Sequence, residues 1–304
     1  MTTHGYSYQA TLAASERIKW RVEDVIGDGK QLDFSKPFMP ESLARVEGLT
    51  FLGPHERLVL NQIRGLGYLC TFGLVEEFIL PFVLDHARPR LSRDPYAARA
   101  LLAFASEEAK HIHLFRRFRE EFERGFGTPC AQIGPPEAVA KAVLAHQPLA
   151  VVLAILHIEW MTQRHWIEAV QDDRELDPQF KSLLRHHWME ESQHAKLDTL
   201  MLDSLAAVSD AAGIDAAVEE YLEIGGMIDG ALAQQVTFDL ESLARATGRT
   251  LDAAERAAFV AAQTQGQRWT YLGSGMTHPN FVATLGDLRP AAADRVAKVA
   301  QALC

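Results

Sequence analysis

Cysteine is scarce in this sequence. Cys70, Cys130 and Cys304 are the whole complement, an odd number with no Cys-x-x-Cys spacing. That argues against a disulfide framework or a zinc knuckle and predicts a reducing, cytoplasmic setting. Long apolar runs are missing as well: the longest, Leu149 to Leu156, is far short of the ~20 residues that span a bilayer. The opening residues, Met1-Thr2-Thr3-His4-Gly5-Tyr6, carry neither the basic nor the apolar segment of a signal peptide, so no membrane partner is expected. Positive charge is in deficit. Lys and Arg number 30 against 40 Asp and Glu, a net charge of −10, which disfavours nucleic acid or an anionic surface as a partner.

What the sequence does have is apolar content and helical periodicity. Of its 304 residues 48% are hydrophobic, enough for a sizeable core. From Phe180 the residues Leu184, His187, Glu191, His194, Asp198, Met201 and Leu205 follow at alternating steps of four and three, the seam of a helix packed inside a bundle. Polar groups thus occupy core positions, and neighbours three and four apart lie side by side on a helix. His187, Glu191 and His194 present two imidazoles and a carboxylate to one spot. A second Glu-x-x-His lies on the seam Leu101, Phe104, Glu108, His111, Phe115, Phe118 and Phe122. That register selects Glu108 and turns Glu107 and Lys110 away.

Two further helices each bring one carboxylate. Val152, Ile155, Glu159, Thr162 and Trp166 form one seam, and Ile63, Leu66, Cys70, Gly73, Glu77, Leu80 and Leu84 the other. Glu76 is the weaker alternative to Glu77, with Leu69, Phe72, Ile79 and Val83 as its apolar face. One carboxylate from each of two helices and a Glu-x-x-His from each of two others is the donor pattern of a di-iron or di-manganese carboxylate bundle. Each buried carboxylate costs roughly several kcal/mol even after relaxation, against a net domain stability of about 5–15 kcal/mol. Four of them need positive charge nearby. Lys110 and Arg164 lie off the seams, whereas two divalent ions neutralise four glutamates and neutral imidazoles complete the shells.

With these residues in place the chain resembles the ferritin-like di-iron oxygenases, and His187, one turn before Glu191, makes it most similar to the p-aminobenzoate N-oxygenase family. The resemblance covers roughly residues 54–210. It implies an all-α, ferritin-like four-helix bundle whose metal ligands are Glu77, Glu108, His111, Glu159, His187, Glu191 and His194. His187 is a ligand on that pattern, or else a hydrogen-bonding neighbour of one. Asp198, one turn after His194, is the candidate hydrogen-bond partner of a ligand imidazole. The implied cofactors are two Fe ions, with Fe/Mn or Mn as alternatives, and O2. The implied reaction is N-oxygenation of an arylamine, with an external electron donor, a small-molecule substrate and a homodimer.

The chain reads as one domain: residues 1–53 an N-terminal extension, 54–210 the di-metal core and 211–304 covering helices. A short helix is expected over Ala13–Ile26, stopped by Gly27-Asp28-Gly29. Core helices are expected from about Pro54 to Ala87, kinked at Pro81, from Pro95 to Phe122, from Leu149 to Asp172 and from Pro178 to Val208. The tail is expected to be helical over Ala216–Leu243, Leu251–Tyr271 and Pro290–Leu303. An aromatic, loop-like patch holds Trp269, Tyr271, Gly273, Gly275, Met276, His278 and Phe281. Pocket lining is expected from the seam residues Leu66, Cys70, Phe104, Phe115, Ile155, Thr162, Leu184 and Met201. His113, His157 and His165 lie off the seams. Other functions on the same bundle are a ferritin-type iron oxidase or store and a radical-forming ribonucleotide reductase small subunit. In the latter the tyrosine position, one heptad after Glu108, is Phe115 here. A helical partner-binding module without metal is the non-enzymatic reading.

Overall fold

The computed structural model describes residues 4–27 and 29–304; Asp28 of the expected Gly27-Asp28-Gly29 stop and the first three residues of the chain lie outside the described residues. Along the chain run α1 (Tyr8–Ser15), α2 (Val22–Val25), α3 (Glu41–Ala44), α4 (Pro54–Ala87), α5 (Pro95–Phe126), α6 (Pro136–Val143) and α7 (Pro148–His165). Then come α8 (Pro178–Ala206), α9 (Ala211–Thr247), α10 (Ala253–Arg268), α11 (Ser274–Met276), α12 (Pro279–Leu288) and α13 (Pro290–Ala300). No strand occurs among the described residues.

Proline sets most of the starts. It sits in the first turn of all four long core helices, where its missing N–H is not needed and its fixed φ suits the helix. Acidic caps add to this. Asp94 accepts from the Tyr96 and Ala97 amides at 3.0 Å each, and Asp177 accepts from the Phe180 amide at 2.5 Å and the Asp33 amide at 2.9 Å. Both caps satisfy orphan amide donors of a helix N-terminus. Helix α5 stops at Gly127, φ 72°, in the left-handed region that glycine adopts without a Cβ clash.

Helix α4 packs along α5, and α7 along α8, so that two helix hairpins face each other. The segment through α6 crosses between them, which is the long connection of a ferritin-like bundle. Helix α9 covers α4 and α7, α10 lies on α9, and α1 rests on α5 and α8. The most apolar stretch of α4 is long enough to cross a membrane, and 61% of it is buried inside this bundle. All three cysteines are free.

Several expectations need correction. The N-terminal helix is split: Ser7 caps it early, at α1, and the chain then turns so that Trp20 is buried beneath Lys110, whose Nζ lies 4.0 Å from the indole ring centre. Helix α4 runs on through Pro81; proline cannot donate to the Glu77 carbonyl, and packing along α5 holds the helix across that gap. The aromatic patch of the tail is helical. A π-turn over Trp269–Gly273 leads into α11 and α12, and a second π-turn, Trp166–Val170, ends the third core helix earlier than expected. Glycine there serves close approach: a Cβ at Gly275 would stand 2.0 Å from the His157 ring and 2.8 Å from its carbonyl on α7.

Gly275→Ala is therefore expected to destabilise the protein by about 1–3 kcal/mol or more through overpacking. Equilibrium denaturant unfolding measures it, and an unchanged midpoint would contradict the packing described.

Candidate metal centre

Four helices deliver their polar core residues to one interior point. Glu108 and His111 on α5 and His194 on α8 have no solvent exposure, and His187 and Glu191 on α8, Glu159 on α7 and Glu76 on α4 are nearly as deeply buried. Two overlapping donor sets result. Glu76, His111, His187 and Glu191 form one; Glu108, His111, Glu191 and His194 form the other, and within each set one atom per residue lies within 4.8 Å of all the rest. His187 Nε2 stands 3.0 Å from Glu76 Oε1 and 3.1 Å from Glu191 Oε1, so its ring faces the centre. His111 Nδ1 is 3.3 Å from Glu191 Oε1, and His194 Nδ1 is 2.9 Å from Glu108 Oε1. Glu159 belongs to neither set, although its carboxyl is joined to that of Glu191 by a side-chain hydrogen bond.

Glu77 is not brought to this point. It lines a surface pocket with Arg116 and Arg119, and Glu76 takes the place expected of it. The reason lies in the helix. From Val59 to Leu69 every residue of α4 is buried, so a seam extended from Ile63 and Leu66 has no unique phase. Further along, the buried stripe is Phe72, Glu76, Ile79 and Val83, while Leu84, at the end of the expected seam, is 42% exposed.

The outer nitrogens of the two Glu-x-x-His imidazoles are held by a crossed pair of carboxylates. His111 on α5 meets Glu190 Oε2 of α8 at 2.9 Å through Nε2, and His194 on α8 meets Glu107 Oε2 of α5 at 2.8 Å through Nε2. With Nε2–H donated outward, each Nδ1 is left as the inward lone pair, the tautomer a metal requires. The pairs are anchored further out. Glu190 also accepts from Lys110 Nζ at 2.5 Å, and Glu107 from the Ser15 hydroxyl of α1. Glu107 and Glu190 escaped the seam argument because α1 covers the flank they occupy; the signal was the repeated Glu-Glu-x-x-His of residues 107–111 and 190–194. Asp198 does not hold an imidazole. It is fully buried with both carboxylate oxygens unpartnered, and the role expected of it at His194 belongs to Glu107.

No lysine or arginine brings charge to the centre, so its imidazoles are the cationic groups the protein itself supplies. Lys110 is engaged by Glu190, and Arg164 by Glu168 and the Ser274 carbonyl, each at 2.9 Å. Both oxygens of Glu108, one each of Glu76, Glu159 and Glu191, and Nδ1 of His111 and His194 lack a hydrogen-bond partner. Buried polar atoms left so cost about 1–3 kcal/mol each, more when charged. Burial pushes the Glu159 carboxyl well above the usual carboxylate range, and the charge on Glu191 adds to it. At Glu191 burial acts the same way, but the His187 imidazole and a hydrogen bond from Glu159 hold it well below that range. Burial lowers His187 to about 4. At His194 burial is outweighed by the Glu191 carboxylate and by Glu107 and Glu108, which raise it well above its ordinary value. Such a cluster attracts cations, and four carboxylates with three imidazoles fit two divalent metal ions in number, charge and donor type.

Aromatic rings seal the donors from water. Phe104 stacks on His194 at 4.1 Å, and Phe72 and Phe115 meet His187 edge-on at 5.1 and 5.0 Å between ring centres. Of the histidines off the seams, His113 is exposed. His157 and His165 are buried, bonded to the Tyr221 hydroxyl at 2.7 Å and the Tyr68 hydroxyl at 2.9 Å. Of the seam residues expected to line a pocket, Cys70 and Phe115 line the surface pocket that holds Glu77 and none lines the cavity of about 200 Å³ walled by α4, α6, α7 and α9.

No protein-family model matches the chain, and no curated protein matches it. Among solved structures it is similar to R2-like ligand-binding oxidases. One is a mutant with an anaerobically reconstituted Mn/Fe cofactor, at a TM-score of 0.47 and 15% identity over 88% of this chain and 94% of that one. Another has an aerobically reconstituted Mn/Fe cofactor, at 0.46 and 16% over 88% and 94%. A third has an aerobically reconstituted Fe/Fe cofactor, at 0.42 and 16% over the same shares.

Competition with a chelator during metal titration distinguishes Glu76 from Glu77. Glu76→Ala is expected to lose tight metal binding and Glu77→Ala to keep it, and the reverse outcome would contradict the register of α4. Glu107→Ala and Glu190→Ala should each weaken metal binding about 10–100-fold, the usual effect of freeing a ligand imidazole from its outer partner; unchanged affinity in both would contradict the crossed arrangement.

Proposed function

We propose that the chain is a di-metal oxidoreductase that binds two Fe ions, or Fe with Mn, activates O2 and oxygenates the nitrogen of a small arylamine. The observation that carries the reading is the pair of buried donor sets sharing His111 and Glu191, with unpartnered oxygen and nitrogen atoms turned into the same space. Bound there, two such ions would supply the redox and Lewis-acid chemistry that O2 activation requires.

The protein's own residues do the rest. Glu76, Glu108, His111, Glu159, His187, Glu191 and His194 are the proposed ligands. His187 is included because its Nε2 points to the carboxylates of one donor set. Glu107 and Glu190 fix His194 and His111 in the ligand tautomer and hold both rings in place. Phe72, Phe104 and Phe115 keep the surroundings apolar, which strengthens electrostatic interactions at the centre. Glu191 and Glu159, on the packed helices α8 and α7, are joined by a side-chain hydrogen bond and would both be available as oxygen donors. Electrons come from an external donor, and the protein works as a soluble cytoplasmic homodimer on a dissolved substrate, without nucleic acid or membrane.

A radical-forming role is disfavoured by Phe115, a ring without a hydroxyl 5.0 Å from the His187 ring. A bare iron store has no use for a tail in which α9 walls a cavity beside the centre.

Elemental analysis of the purified protein is expected to give two metal equivalents. Stopped-flow mixing of the anaerobically reduced protein with O2 should then show a transient absorbance, and O2 uptake should rise with an added arylamine. Metal-loaded protein that shows no transient and leaves arylamines unchanged contradicts this function.

A further inference from the structure

The cavity beside the centre has a wall whose chemistry restricts its occupant. Phe72 and Phe78 of α4, Ile158 and Met161 of α7, Met227 of α9 and Tyr271 contribute to it, and no lining side chain is charged. At about 200 Å³ it exceeds the ~150 Å³ that suffices an apolar site to hold benzene. Methionine lets such a wall adapt to shape.

Position ties the cavity to one side of the centre. Phe72 lines the cavity and packs edge-on against His187. Val75 and Ile158, also on the wall, immediately precede Glu76 and Glu159 in the chain. The His194 side is closed by the stacked Phe104 ring and by Glu107 at its Nε2. Phe72 is therefore the partition between the cavity and the His187 side of the donor set Glu76, His111, His187 and Glu191.

Resting on the function proposed above, we infer that this cavity is the substrate site, that it takes an uncharged, apolar arylamine and rejects a carboxylated one, and that the substrate approaches from the His187 side. A neutral ring is stabilised by the apolar side chains that make up most of the wall, with Thr71, Gln234 and Tyr271 as its uncharged polar groups. A carboxylate would be buried with no cation to pair with, a state strongly disfavoured relative to water. The resemblance to p-aminobenzoate oxygenation thus does not extend to the carboxylate of that substrate.

Calorimetric titration of the full, metal-loaded chain with p-toluidine and with p-aminobenzoate tests this. p-Toluidine is expected to bind at least about tenfold more tightly. Ala231→Trp, which fills the cavity from α9, should weaken p-toluidine binding by about tenfold or more while metal content stays unchanged. Should that variant fail to fold, Val139→Phe fills the same space from α6 and carries the same expectation. Equal binding of the two ligands, or p-toluidine binding untouched by a folded cavity-filling variant, overturns the inference. The two proposals fail separately: protein without metal that still binds p-toluidine sinks the oxidoreductase reading and keeps the cavity, whereas metal-loaded protein that ignores p-toluidine sinks the cavity alone.

Discussion

Repulsion among four buried carboxylates is the constraint on which the rest of the structure depends. Glu76, Glu108, Glu159 and Glu191 sit in a low-dielectric core where no lysine or arginine reaches them among the described residues. At close range and low effective dielectric, like charges destabilise one another by several kcal/mol, comparable with the whole stability of a domain. The chain nonetheless uses long helices to bring them together. Without metal the repulsion favours protons on Glu159 and on the His111 and His194 imidazoles, and two divalent ions would take over that neutralising role.

Segments outside the four-helix core are bound into the same logic. Helix α1 supplies Ser15 to Glu107, and the turn after it sets Trp20 parallel to the His111 ring at 6.1 Å, with Lys110 packed on the indole. The N-terminal extension is therefore the outer wall of the centre. At the opposite flank α11 lies on α7 through Gly275, and α9 completes the apolar cavity. These contacts give a structural use to the 110 residues that follow His194: they pack over the bundle and complete the cavity beside it.

How much of this was legible depends on how many sides of each helix are covered. Helix α5 keeps an exposed stripe and α8 a half-buried one through Met189, Ser192, Lys196, Leu200 and Asp203, so their apolar phase is unique and picks out Glu108, His111, His187, Glu191 and His194. Helix α4 is wrapped on all sides through its first half, and there the phase slips by one residue, from Glu76 to Glu77. Glu107 and Glu190 look like surface residues on a two-helix reckoning, yet a third helix, α1, covers them. Asp198 has the right spacing, but spacing says nothing of which carboxylate is closer to the imidazole. Glycines of the tail suggested irregular chain. In the structure Gly275 permits a helix to touch another, a tertiary event with no local signature.

Anomalous diffraction from a crystal of the metal-loaded protein, collected on either side of the iron and manganese absorption edges, tests the central claim most directly. Two peaks are predicted among α4, α5, α7 and α8, both within bonding distance of Glu191, one also bound by Glu76 and His187 and the other by Glu108 and His194. A map without such peaks, or with the metal at Glu77 or on the protein surface, would contradict it.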